Sequence, residues 1–193
     1  MKSKGEVTRD KILEAAAELI HRKGFGATSI NDLLATTGLK KGSLYFHFPG
    51  KDALGLAFLE KARTEFLEFL DTSLAGETPG KRLDNFLTQV MKTHKGKDFV
   101  GGCIFGNTAL EMGDTESHFA SFIKNVFEEW EQRLRKVVAA AQDSGEVACD
   151  LSADVLAGHM ISAIEGGIML ARLRKDEKPL RDALAAIQVL LHR

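Results

Sequence analysis

Cysteine is nearly absent: Cys103 and Cys149 are the only two in 193 residues, too few and too isolated for a disulfide framework or a zinc site. They read as free thiols in a reducing compartment. Net charge is almost absent too, −1 overall, so bulk charge argues neither for nor against nucleic acid. No long apolar run stands out. The longest uncharged stretch near the apolar centre of the chain, Phe99–Leu110, is far short of the roughly 20 residues a membrane span needs. The opening Met-Lys-Ser-Lys-Gly-Glu lacks the apolar core of a signal peptide, so a cytoplasmic protein with no membrane partner is expected. Proline is scarce, three residues against 18 glycines spread through the chain. No stretch alternates as a strand would.

What is present is the balance of an ordinary globular protein, 44% apolar and 27% charged. That excludes a disordered tail, a collagen-like repeat and a bare coiled coil. Charge is unevenly placed. Residues 1–52 carry 9 Lys/Arg against 6 Asp/Glu, and the remainder 17 against 21. A basic end on an acidic body suggests two jobs in one chain.

Helical periodicity covers nearly everything. Thr8 to Lys23 places Ile12, Leu13, Ala16, Leu19 and Ile20 on one face, with Gly24 as the stop. Thr28 or Ser29 caps a short helix ended by Gly38, a third helix spans Lys40–Phe46, and a longer one runs from Lys51 towards Leu70. Thr78-Pro79 starts the next, which carries Leu83, Phe86, Leu87, Val90 and Met91. A short or irregular helix follows within Gly101–Met112. The longest opens at Asp114-Thr115 and stops at Gly145. Ser152 caps another, to about Arg174, and Pro179 starts the last. The expected class is all-α, with nine helices.

Two short helices meet at Gly38, where a left-handed conformation can reverse the chain. Ile30, Leu33, Leu34, Leu39 and Leu44 lock the pair and leave Lys40, Lys41, Ser43, Tyr45 and His47 unneeded by the core. Donors and cations on one short helix suit the major groove of DNA. Spacing alone leaves an ordinary helical hairpin with a solvated face equally open.

Four spaced signatures occur in order: Thr8-Arg9-x-x-Ile12-Leu13-x-Ala15-Ala16, Gly24-Phe25-x-x-Thr28-Ser29, Gly38-x-x-Lys41-Gly42-Ser43-Leu44-Tyr45-x-His47-Phe48 and Lys51-x-x-Leu54. In these the chain resembles the TetR family of bacterial transcriptional regulators over about its first 60 residues; beyond them only the layout is similar. The resemblance implies a helix-turn-helix DNA-binding domain over 6–66, built on three helices, and a larger helical ligand-binding and dimerisation domain over 67–193. It implies a homodimeric repressor of a near-palindromic operator. Thr28 would cap the second helix and bond a phosphate, with Ser29 beside it. Lys41, Gly42 and Ser43 would face base edges, Tyr45 and His47 would bond phosphates, Lys40 would lie near phosphates or bases, and Lys51 would add a charge at the next helix start. Where the family often has a basic residue, this chain has Asn31.

The second part is less specific. Phe99, Cys103, Phe105, Met112, Phe119, Phe122, Trp130, Met160 and Met169 are candidates to line an apolar pocket, or are plain core. Asn107, Glu111, His159 and Glu165 interrupt apolar helix stretches and are candidate hooks for a ligand. Between Phe99 and Met169 the only basic residues are Lys124, Arg133, Arg135 and Lys136, so an apolar or aromatic effector is expected rather than a sugar phosphate. No cofactor is expected. A metal site from Glu111, His118 and His159 has no spacing in its favour. By the resemblance the last two helices, rich in Ala and Gly, pair with their copies in a dimer, and charge at Leu184 or Ile187 is expected to break it. A small helical enzyme or carrier is the alternative, without paired carboxylates or a Ser-His-Asp set to support it.

Overall fold

The computed structural model describes residues 3–191, and among them it holds nine α-helices and no strand. The first, α1 (Lys4–Lys23), begins earlier than its apolar period suggests because Ser3 and Glu6 form a capping box. The Glu6 amide donates to Ser3 Oγ at 3.2 Å, and the Ser3 amide donates to the Glu6 carboxylate at 2.7 Å. Ser29 and Asp32 open α2 (Ile30–Thr37) in the same way. Ser29 is therefore the cap. Thr28 is not, because its side chain is buried and its hydroxyl donates to Gly24 O at 2.7 Å. Asp32 also meets Lys23 Nζ at 2.7 Å, which ties the end of α1 to the start of α2. Gly38 ends α2 at φ 69°, in the left-handed region, and α3 (Lys41–His47) follows with Lys40 as its N-cap.

The helix α4 (Lys51–Ser73) runs unbroken through the expected domain boundary at residue 66. Its first half places Leu54, Phe58 and Leu59 in one core with Ile12, Leu19, Leu33 and Leu44; its second half places Leu70 in another. Gly55 allows a close approach: a Cβ there would stand 2.3 Å from the Phe25 ring. Phe25 in turn packs on Phe119, ring centres 5.0 Å apart.

Thr78 caps α5 (Pro79–Lys95) with Pro79 in its first turn. After a turn in which Asp98 and Phe99 have positive φ comes the short α6 (Ile104–Met112). Then follow α7 (Ser117–Asp143), α8 (Ala153–Arg174) capped by Ser152, and α9 (Lys178–Leu191). The body is built by α8 packing on α7 and α9, and by α5 packing on α7 and α9. The N-terminal core does not stop at the head, since Phe105 and Met112 of α6 and Phe119, Ile123 and Val126 of α7 belong to it. Head and body are thus joined through α4, α6 and the first half of α7.

One expectation is amended. By length and composition α8 is long and apolar enough to cross a membrane, although the uncharged stretches did not reveal it because Glu165 interrupts the run. In the fold it is a core helix, with Leu156, Met160, Ile164 and Ile168 buried among α7 and α9.

Candidate nucleic-acid interface and internal cavity

Leu44, wholly buried, and Phe48, nearly so, fix the direction in which α3 faces. At about 100° per residue, Gly42 and Phe46 point almost directly away from that core. Lys41 and Tyr45 flank them on one side, and the half-buried Ser43 and His47 on the other. Lys41 Nζ stands 5.8 Å from the Tyr45 ring centre, and the His47 ring meets Phe46 edge to face at 5.2 Å. Lys40 and Ser29 are exposed at the N-termini of α3 and α2. Lys51, at the start of α4, donates to Gly26 O at 2.9 Å and lies 4.7 Å from the Phe25 ring centre. The structure therefore gathers Lys40, Lys41, Gly42, Ser43, Tyr45 and His47 on one short element and turns Thr28 inward.

The turn before α2 is held from outside the head. Glu111, near the end of α6, accepts from the Phe25 amide at 3.0 Å with one carboxylate oxygen and from the Gly26 amide at 2.5 Å with the other. Two glycines make room for it. A Cβ at Gly26 would lie 2.7 Å from the carboxylate, and one at Gly24 3.0 Å. Carboxylate-to-amide bonds are stronger than neutral ones, so the body grips the head at the residues that lead into α2.

A cavity of about 240 Å³ lies among α1, α4, α5, α6, α7 and α8. Phe66, Phe69, Phe105, Trp130, Ile164 and Ile168 wall it, and the Phe66 ring packs edge-on to Trp130 at 5.2 Å. Its polar lining includes His21, Thr93, His94, Cys103 and Glu165, with the exposed Glu65 and Lys97 also on the wall. Among the described residues, the buried side-chain polar atoms without a hydrogen-bond partner are His21 Nδ1, Trp130 Nε1 and Glu165 Oε1, and all three residues line this cavity. A compact molecule with an apolar body and a polar end could answer them.

The cavity disfavours charge. Burial, reinforced by Lys97, pushes the His94 imidazole down to about 4. Burial and the cations Lys97 and Arg172 lower His21 in the same direction. Burial raises the Glu165 carboxyl, opposed by its hydrogen bond with Cys103. Burial and the neighbouring Glu165 push the Cys103 thiol well above the ordinary thiol range. A thiol held protonated in this way is a poor nucleophile.

Of the residues expected at a ligand site, Cys103, Phe105 and Trp130 line the cavity, as does Glu165. Phe99 packs against the body core beside it, and Met160 is buried in that core. Phe122 packs on the N-terminal core. Asn107 donates to Gly101 O at 2.6 Å and accepts from Arg172 at 2.9 Å, and Glu111 holds the head. His159 is exposed on α8. Among the described residues no group of three or more His, Cys, Asp or Glu stands close enough to hold a metal ion. His21, Phe66, Phe69 and His94 were missed. Each is a polar or aromatic residue on a helix that periodicity had already explained.

The outward side of α8 carries Val155, His159, Ser162, Gly166, Met169 and Leu173, a stripe at alternating four- and three-residue spacing. Val155, Met169 and Leu173 are 53%, 54% and 77% exposed. Val189 is exposed on α9 as well. Leu184 and Ile187, expected at this surface, instead lie in the protomer's own core, because α5 and α8 cover that face of α9. They are corrected to core residues.

Residues 12–58 match the family model described as bacterial regulatory proteins, tetR family. Residues 79–187 match the one described as tetracyclin repressor-like, C-terminal domain. The chain is 31% identical over 179 residues to the transcriptional regulator AcuR of Cereibacter sphaeroides, covering 90% of this chain and 80% of that one. It is 25% identical over 181 residues to the HTH-type transcriptional repressor DhaR of Mycobacterium sp. (strain GP1), covering 93% and 89%. A crystal structure of a TetR transcriptional regulator from Chloroflexus aurantiacus superposes with a TM-score of 0.88 at 33% identity, covering 96% of this chain and 94% of that one. Regulatory protein TetR from Rhodobacter sphaeroides gives 0.87 at 28%, covering 94% and 97%.

Proposed function

The chain belongs to the TetR family of bacterial transcriptional regulators, and from that premise we propose that it is a homodimeric repressor released from its operator by a small molecule. The enzyme alternative is set aside, since the matching families and relatives are regulators. Residues 6–66 serve as the DNA-binding part and 67–193 as the effector and dimer part, in the bacterial cytoplasm. Lys41, Gly42 and Ser43 read base edges from α3. Tyr45, His47, Ser29, Lys40 and Lys51 bond the phosphates that set its register. The α8 stripe, with Val189 of α9, packs on its copy in a second protomer, and two α3 helices then face the half-sites of a near-palindrome.

The observation that carries the effector reading is the convergence of three unpartnered polar groups on one aromatic cavity. At about 240 Å³ the cavity takes a compact apolar or aromatic molecule with a polar end towards His21, His94 and Glu165. Its walls include α1, α4 and α6, and α6 ends in the Glu111 grip on the turn before α2. An occupant that shifts α6 thereby shifts the head. Linkage then requires DNA to weaken effector binding by the factor with which effector weakens DNA binding, typically about 5–150-fold. Selection of fragments from a random DNA library, with and without cell extract, tests the proposal. A near-palindromic duplex retained without extract and released with it is expected. Recovery of unrelated fragments in both arms would refute a specific operator.

A further inference from the structure

Phe46 has no role in the fold. Its side chain is 85% exposed on a seven-residue helix, at two positions, or about 200°, from the buried Leu44. A helical side chain leans back over the residue four positions earlier. Here that residue is Gly42, and a Cβ built on Gly42 meets nothing within 4 Å. The ring does not fold back onto that site, so the Gly42 surface stays bare beside it, and among the described residues its one ring neighbour is His47 at 5.2 Å. On both sides of this apolar centre stand groups that bond phosphates and bases: Lys41 and Tyr45 on one, Ser43 and His47 on the other. When α3 enters a groove, the outermost side chain meets the base edges. In the major groove one base presents an apolar group, thymine with its C5-methyl.

We propose that Phe46 is a specificity-determining residue, its ring packing on the C5-methyl of a thymine in each half-site, with bare Gly42 giving the base room to approach. The inference rests on the DNA-binding reading above and assigns that site a residue outside its polar set. Because the ring is exposed in the protomer, its removal leaves the core intact.

The test starts from a duplex selected by the full-length protein. Each thymine of both half-sites is then replaced by uracil, which keeps every hydrogen-bonding group and lacks only the methyl. For the unaltered protein one position should stand out, with binding weakened about four-fold per half-site, the worth of one buried carbon group. Phe46→Ala should bind the selected duplex more weakly and lose its sensitivity at that position alone. Phe46→Leu should keep part of it. A flat uracil scan, a half-site without thymine, or a Phe46→Ala protein as sensitive as the original at that position would overturn the proposal. Failure to select any duplex would instead overturn the DNA-binding reading, and this proposal with it.

Discussion

Replacing Glu165 by Met should make the protein more stable, although it removes an ionisable group from the middle of α8. Glu165 Oε1 is buried without a hydrogen-bond partner, and the other carboxylate oxygen lies against the bare backbone of Gly106. An unsatisfied buried acceptor costs about 1–3 kcal/mol, more than the weak bond with Cys103 returns. Met is unbranched and adaptable, so it can fill the same space between Phe105, Trp130 and Ile168. For a chain of this size each kcal/mol moves Tm by roughly 2–4 °C, so a rise of about 2–12 °C is expected. Thermal unfolding followed by circular dichroism at pH 7 and fixed protein concentration measures it. Glu165→Gln, which keeps a polar atom in the same place, should stay near the original. A fall in Tm for Glu165→Met would mean that the carboxylate holds the fold together. The case for a binding hook would then fail.

Glu111→Ala should release the turn between α1 and α2. Loss of two charge-assisted bonds in a partly exposed setting costs roughly 1–3 kcal/mol, and hydrogen exchange at the Phe25 and Gly26 amides should accelerate; unchanged protection would refute the grip. Leu173→Glu should dissociate the dimer in sedimentation while leaving the protomer folded, because Leu173 is exposed, whereas charge at Ile187 should unfold the protomer. An intact Leu173→Glu dimer would remove the α8 stripe from the interface. His94 has a folded pKa of about 4 against an ordinary 6.5. Between those values the unfolded chain binds a proton that the folded chain refuses, so stability is complete above 6.5 and is lost as pH falls towards 4, by at most roughly 3 kcal/mol. His94→Gln should flatten that acid slope in urea titrations, and an identical slope would show that His94 is not the group responsible.

Local signals were legible where one residue type has one job. Thr78-Pro79, Ser152 and Gly38 mark helix ends by chemistry that needs no tertiary context. The Ser3–Glu6 box was present in the sequence but lay outside the apolar periodicity used to place α1. Tertiary choices were less legible. Glu111 stands out as a polar residue in an apolar stretch, yet its partners are main-chain amides, which no side chain announces. The cavity gathers His21, Phe66 and His94 from helices far apart in sequence, and nothing in local spacing says that they converge. Both sides of α9 and α8 carry apolar residues, so the face covered by the protomer itself could not be told from the outward one. Phe46 fell in neither the core set nor the polar set of α3, because an apolar ring suits neither a solvated face nor a list of donors; its exposure shows that it points out.

The central claim, that α3 and its flanking cations hold a specific duplex, is tested most directly by the salt dependence of binding to the selected DNA. If each protomer neutralises about 3–4 phosphates, log K should fall against log salt with a slope of roughly −5 to −7. Lys51→Ala should reduce its magnitude by about 1 per protomer. A slope near zero would contradict the account.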